Sequence, residues 1–248
     1  VATSPYWSAL RIINQIAGEL GLSQYTTVVA TDNVQSTQLL ALLNSSGNEL
    51  MLYYPWEQFK GELTFNTVDS QGSYDLPDDY NYFTDQTQWD RTNHWPLLGP
   101  KSAQEWAWLK GGLIASAPRT RFRVYDNKFW IWPVPAVGHS PLNLSMEYIS
   151  KNWILGGASQ DTPADMIALD TDLLKYNPWL LVKYTKMKFY ELKGFDTTAT
   201  QSDFLRVFNS LTGKDVGAPI LSLARVNTTQ LVGPWSVPDG SWNVFGGP

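Results

Sequence analysis

The first apolar pattern in the chain has the period of a helix: Leu10, Ile13, Ala17 and Leu20 fall on one face at 3.6 residues per turn. Ser4 before Pro5 offers a start and Gly21 a stop. A second helix is expected from about Val34, capped by Asp32, with Leu39, Leu42, Leu43 and Leu50 on its apolar side. It ends before Pro55, because the residue preceding a proline is pushed out of the helical region. The two segments predict an antiparallel helix pair. From Trp56 the period falls to two. Leu63 and Phe65 run into turn residues Asp69, Ser70, Gln71 and Gly72, and Tyr74 and Leu76 lead out, which predicts a hairpin closed by Pro77, Asp78 and Asp79. Ser102 and Glu105 stand at capping-box spacing and predict a short helix ended by Gly111 and Gly112. Strands are expected over 119–125 and 129–134 around a turn at Asp126 and Asn127. A further strand is expected over 142–153, where Leu142, Leu144, Met146 and Tyr148 alternate.

After a Gly, Ser and Pro-rich connection over 156–163 the helical period returns. Asn177 as cap and Pro178 at the first helical position open a run through Lys193 that Gly194 ends. Phe204, Val207, Phe208 and Leu211 mark another helix before Gly213. The order predicts an α+β protein: a helical body made of an N-terminal helix pair (1–55) and C-terminal helices (161–225), with a central antiparallel β insertion (56–160). Residues 226–248 repeat Gly and Pro around Trp235, Trp242 and Phe245 without a sustained period, which predicts an extended C-terminal tail. No internal repeat or low-complexity tract is visible.

Composition changes the picture in one respect. With 43% hydrophobic but 17% charged residues, and 12 Trp, 12 Tyr and 10 Phe, the chain carries little solvating charge and many rings suited to interfaces. That predicts burial against partners. A net charge of −5 provides no global field for phosphate backbones, so sequence-specific nucleic-acid reading is disfavoured. The absence of cysteine removes disulfides, thiolate metal sites and thiol nucleophiles. Apolar runs such as 111–115 and 179–182 fall far short of the roughly 18–20 residues of a membrane span, and residues 1–6 do not read as a signal peptide. A soluble chain without a membrane role is expected.

Motifs for catalysis are few. His94 and His139 have no metal-ligand partner at helical spacing, and neither a nucleophile elbow nor a phosphate-binding glycine loop is present. No metal and no cofactor are expected. Asp75, Asp78, Asp79, Asp85 and Asp90 could supply the carboxylate pair of a glycoside hydrolase, but aspartates beside Pro and Asn are favoured in turns for backbone reasons, and that reading is preferred. Trp130 and Trp132 alternate with Phe129 and Ile131. They could stack on sugars, or pack against a neighbouring subunit while Phe129 and Ile131 enter the core.

The run Tyr74-Asp75-Leu76-Pro77-Asp78-Asp79-Tyr80 is followed by Gln88-Trp89-Asp90-Arg91-Thr92. Then comes Pro96-Leu97-Leu98-Gly99-Pro100 with Ser102, Gln104, Glu105 and Trp106. Together these resemble the head-to-tail adaptor, or connector, proteins of short-tailed phages (podoviruses), and the wider layout over roughly Pro5 to Leu223 is similar to the tail tubular A type. The resemblance implies a structural virion protein rather than an enzyme. It implies a homo-oligomeric ring, usually of twelve subunits, that docks on the portal protein and carries the tail nozzle protein and the tail fibre or spike proteins. DNA passes through the channel during ejection without sequence-specific contacts, and assembly takes place in the host cytoplasm.

Two sets of site residues follow. Leu180, Leu181, Tyr184 and Met187 lie beside Lys183, Lys186, Lys188 and Lys193 and are expected to form a subunit-contact face, the lysines staying solvated. Trp235, Trp242 and Phe245 are the expected portal-binding anchors of a tail that can span about 75 Å at roughly 3.3 Å per residue. The competing class is a glycan-binding or polysaccharide-degrading tail component.

Overall fold

The structure, a computed structural model, describes residues 5–111, 119–138 and 140–215. It is α+β. In chain order come β1 (Trp7–Ser8), α1 (Ala9–Glu19), α2 (Val34–Tyr53), a helical turn at Glu57–Phe59, β2 (Lys60–Asn66), β3 (Ser73–Asp75), β4 (Tyr80–Phe83), β5 (Trp89–Asp90) and β6 (Trp95–Pro96). Then follow α3 (Ala103–Lys110), β7 (Arg121–Tyr125), β8 (Lys128–Trp132), β9 (Asn143–Ser150), β10 (Ile154–Gly156), β11 (Thr162–Ala164), β12 (Leu173–Leu174), α4 (Pro178–Lys193) and α5 (Thr198–Asp215). They divide between two compact units, residues 5–60 with 149–215, and residues 61–148.

In the first unit α4 packs against α1, α2 and α5. Its ends are those the sequence predicts: Asn177 accepts a hydrogen bond from the Trp179 N–H, Pro178 opens the helix, and Gly194 closes it at φ +71°, where a glycine is unstrained. The other ends shift. Asn33 rather than Asp32 caps α2, its side-chain oxygen accepting from the Gln35 and Ser36 N–H groups. Helix α1 starts at Ala9 rather than near Ser4, because Ser8 caps it and distant carbonyls take its first donors. Ala9 N–H donates to Asp172 O (2.9 Å) and Leu10 N–H to Asp170 O (3.2 Å). Helix α5 runs through Gly213, the expected stop, to Asp215.

A four-stranded antiparallel sheet in the order β1-β12-β10-β11 belongs to this unit. No period predicts it. Its strands are two or three residues long, and parts of β10 and β11 occupy the stretch expected to be a plain connection. The strands bring Trp153 and Tyr176 onto α2. Trp153 is fully buried with its ring against Gly47, and a Cβ added there would meet that ring at 2.4 Å. The Tyr176 hydroxyl donates to Gly47 O at 3.0 Å.

In the second unit two sheets enclose one core. One has the order β2-β9-β5-β6 with β4 also on β9, and the other the order β3-β8-β7. Leu144 and Met146 of β9 meet Tyr74, Phe122, Phe129 and Ile131 of the other sheet. The expected hairpin of 63–65 with 74–76 does not form: β2 pairs with β9, and Tyr74 pairs with Phe129 of β8. The turn after β2 hands the chain from one sheet to the other. The β7–β8 hairpin forms around Asp126 and Asn127, and β8 stops at Trp132 because Pro133 has no N–H to continue the ladder.

Two glycine substitutions test the packing. Gly47→Ala should destabilise the protein by roughly 3 kcal/mol, since the methyl must displace a fully buried indole. Gly18→Ala, inside α1 with open space around its Cα, should stabilise it by about 0.5–1 kcal/mol. Denaturant unfolding of both variants reads this, and a Gly47→Ala protein as stable as the parent would refute the role given to Trp153.

Candidate functional site

The motifs that carry the family resemblance are built into the second unit's framework. Tyr74 stacks on Phe65 at 4.4 Å, and its hydroxyl donates to Gln71 O and accepts from Val68 N–H. Leu76 enters the core. Asp79 accepts from the Tyr148 hydroxyl at 3.0 Å; burial and this carboxylate push the phenol up to about 12. Asp90 is buried and accepts from the Thr92 and Asn93 N–H groups and from the Asn93 amide, closing the turn between β5 and β6. Asp75 lies 3.4 Å from Lys128. At Gly99 a Cβ would stand 2.5 Å from Phe122 O, so the turn into α3 requires glycine. Ser102 and Glu105 form the predicted capping box.

On the outer side of β2, β9 and β5 lies an open cleft lined by Glu62, Trp89, Arg91, His94, Ser145 and Glu147. The Ser145 hydroxyl donates to Glu62, and Arg91 sits 3.7 Å from the same carboxylate. The serine bonds to a carboxylate and not to an imidazole that could take its proton. The cleft is polar. Among the described residues no group of three His, Asp or Glu side chains could hold a metal ion, and no helix is long and apolar enough to cross a membrane. His139 lies outside the described residues.

The tryptophan strand has the predicted alternation: Phe129 and Ile131 are buried, Trp130 and Trp132 half-buried. Tyr125 stacks nearly parallel on Trp130 at 4.9 Å, and the Lys110 amine lies 5.1 Å from the same ring. The indole is already engaged within the unit, which leaves less of it for a sugar.

Helix α4 differs more from expectation. Leu180, Leu181 and Tyr184 are turned into the unit's own core, and Met187 is half-buried. The apolar side that the spacing assigns to a neighbouring subunit is satisfied within the chain, and Trp179 (45% exposed) and Leu192 (55%) are the large apolar side chains that α4 leaves in solvent. The lysines are not simply solvated either. Lys183 and Lys186 bind Glu19 of α1 at 3.1 and 3.0 Å, and Lys188 binds Glu49 of α2 at 2.7 Å. Burial pushes Glu19 up, but hydrogen bonds from Lys186, Lys183 and Gln15 outweigh it and hold the carboxyl below its ordinary value. Glu49 behaves likewise, with Lys188, Tyr184 and Ser45 as donors. Only the assembled helices reveal these pairs, since 164 positions separate Glu19 from Lys183. Trp235, Trp242 and Phe245 lie outside the described residues.

Residues 8–222, spanning all three motifs and most of both units, match the family model described as SU10 adaptor protein. The chain belongs to the SU10 adaptor protein family. The family is one of phage structural virion proteins, so this adaptor is a virion component that works through contacts with other virion components. None of the curated proteins compared with the adaptor matches it.

The acidic pairs on α4 give the adaptor a pH signature. A carboxyl held below its unfolded value near 4.5 contributes stability above that pH and loses it as pH falls through the folded value. Glu19→Gln should therefore cost about 1 kcal/mol at neutral pH and flatten the loss of stability on acidification below about 4.5. Urea unfolding at a series of pH values measures both; an unchanged acid limb would show that the pairs contribute nothing.

Proposed function

We propose that this adaptor forms a ring between the portal protein and the tail nozzle of a short-tailed phage, in the manner of tail tubular A type adaptors. Twelve subunits are the expected number. The ring carries fibres or spikes and surrounds the channel through which DNA leaves, without base-specific contacts, and it is assembled in the host cytoplasm before residing at the head-to-tail interface of the virion. The observation that carries this reading is the adaptor-family match over residues 8–222. The composition supports it: 17% charged residues and abundant rings suit a subunit packed on several sides.

In this reading α4 organises the body, and contacts with neighbours along it run through exposed positions such as Trp179 and Leu192. The segment after Val226 docks on the portal, with Trp235, Trp242 and Phe245 as anchors. Its Gly233-Pro234, Pro238-Asp239-Gly240 and Gly246-Gly247-Pro248 breaks oppose regular structure, so affinity must come from a few buried rings.

Light scattering on the full chain, alone and with portal protein, tests the ring. Truncation after Val226 should leave a soluble, folded protein that docks poorly, each lost indole weakening docking by on the order of 2 kcal/mol. Normal particles assembled from truncated protein would assign docking to the body alone.

A further inference from the structure

Within the Gln88-Trp89-Asp90-Arg91-Thr92 motif the framework accounts for every second residue. Gln88 is buried and its amide donates to Thr84 O at 2.7 Å, Asp90 closes the turn between β5 and β6, and the Thr92 hydroxyl accepts from Asn143 N–H at 2.8 Å. Trp89 and Arg91 point the other way. Trp89 is paired with Ser145 of β9 and Asp90 with Leu144, and directly paired residues of an antiparallel ladder share a face. Leu144 enters the core, so Trp89 and Ser145 stand on the outer side of the sheet, in its cleft. Arg91 reaches the same place, its Nη2 lying 3.4 Å from Ser145 Oγ and 3.7 Å from Glu62. Core packing asks for neither an indole nor a guanidinium at these two positions.

Ser145 is the floor of the cleft: it is 3% exposed although it faces outward, with Glu62 and Arg91 closing over it. The groups around it keep unused bonding capacity. The Ser145, Thr64 and Arg91 contacts of Glu62 all fall on Oε1, so its Oε2 accepts nothing among the described residues. Arg91 uses Nη2, and among the described residues its Nη1 and Nε meet no acceptor. The half-buried Trp89 stacks on no other described ring, and its Nε1–H meets no described acceptor. Trp130 differs on both counts, since Tyr125 covers its ring and takes its N–H. An open indole, a carboxylate oxygen and a guanidinium edge thus line one volume of about 490 Å³, within the roughly 300–1,000 Å³ of small-ligand sites.

We propose that this cleft binds a neutral oligosaccharide, with one sugar ring laid on the Trp89 indole. An indole offers a flat apolar face with a polar N–H at its edge, and a pyranose is its counterpart, apolar on its C–H face and rimmed by hydroxyls. Each hydroxyl both donates and accepts. Glu62 Oε2 takes the proton of one hydroxyl and the free Arg91 N–H groups donate to the oxygen of its neighbour, so a planar acceptor beside a planar donor reads two adjacent hydroxyls. The bonds from Ser145 and Arg91 hold Glu62 in place before the ligand arrives, which lowers the ordering cost of binding. Glu62 and Arg91 offset each other in charge, and the other carboxylates in the cleft, Glu147 and the turn-bound Asp90, offer no field to a phosphate or sulfate polymer. An extended peptide docks on a free strand edge or in a row of apolar pockets, whereas this cleft lies on the face of strands already paired and holds a single indole. One copy of the chain supplies every group, so binding does not depend on ring formation.

The full chain is titrated with maltotetraose, cellotetraose, mannotetraose and N-acetylchitotetraose, with dextran sulfate as the anionic comparison, and binding is read by saturation-transfer NMR and calorimetry. At least one neutral tetrasaccharide should bind at millimolar concentration or below, with an affinity that salt does not change. Trp89→Ala should weaken it at least roughly tenfold and Arg91→Met several-fold, while Trp130→Ala on the other sheet leaves it unchanged. Circular dichroism verifies each variant; should Trp89→Ala not fold, Arg91→Met, at a mostly exposed side chain, reads the same cleft. If no neutral tetrasaccharide binds, or if binding survives both Trp89→Ala and Arg91→Met, the proposal is overturned. Salt-sensitive binding of dextran sulfate alone would make Arg91 an ion-pairing site and overturn it as well. Light scattering on the same samples reports the ring separately, so either reading can fail without the other.

Discussion

The body depends on the contact between Trp153 and Gly47. A fully buried indole lies across the one position of α2 where the helix has no side chain, and its N–H is shared between Asn48 Oδ1 and Asp165 O, both at 3.0 Å. Tyr176, whose hydroxyl reaches Gly47 O, packs its ring against Trp56, Phe59 and Trp153. Trp153 stands just after β9 and Tyr176 just before α4, so the pair fixes both ends of the segment that closes the first unit. Both donors are satisfied, which removes the cost of burying them. The lysine and glutamate pairs then tie α4 to α1 and α2 around this centre.

The second unit obeys a different constraint. Its recognisable motifs hold the framework together: Asp90 closes a turn, Gly99 admits Phe122 O, Tyr74 and Leu76 enter the core. A motif of this kind marks a family because its geometry tolerates few substitutions, although no chemistry resides in it. On the outer faces of the two sheets core packing does not dictate the residue type.

An adaptor acts by contact, and the two units suit that role in different ways. In the helical body Lys183, Lys186 and Lys188 of α4 are paired with Glu19 and Glu49, and Leu180, Leu181 and Tyr184 are buried. The β unit leaves half-buried rings on β8 and ion pairs at its surface. Low overall charge with many rings, visible in the composition, is the chemical requirement shared by such surfaces.

The sequence by itself determined the α+β class, the capping box of α3, both ends of α4 and the in-out alternation of β8. These signals are local: a cap or a period is read from residues within a few positions of each other. Tertiary structure decided the rest. Strands β2 and β3 both alternate and flank good turn residues, yet each pairs with a distant strand, because alternation defines a face without naming its partner. Strands β10 to β12 are too short to show a period and exist because β1 and the segment before α4 meet. Leu180, Leu181 and Tyr184 carry the same spacing whether they face a neighbour or their own core, and only the packing of α1, α2 and α5 on α4 turned them inward. Helix α5 passes Gly213 because one glycine costs only about 1 kcal/mol in a helix, less than the packing of Phe204 and Phe208 on Tyr184 and Trp56 can offset.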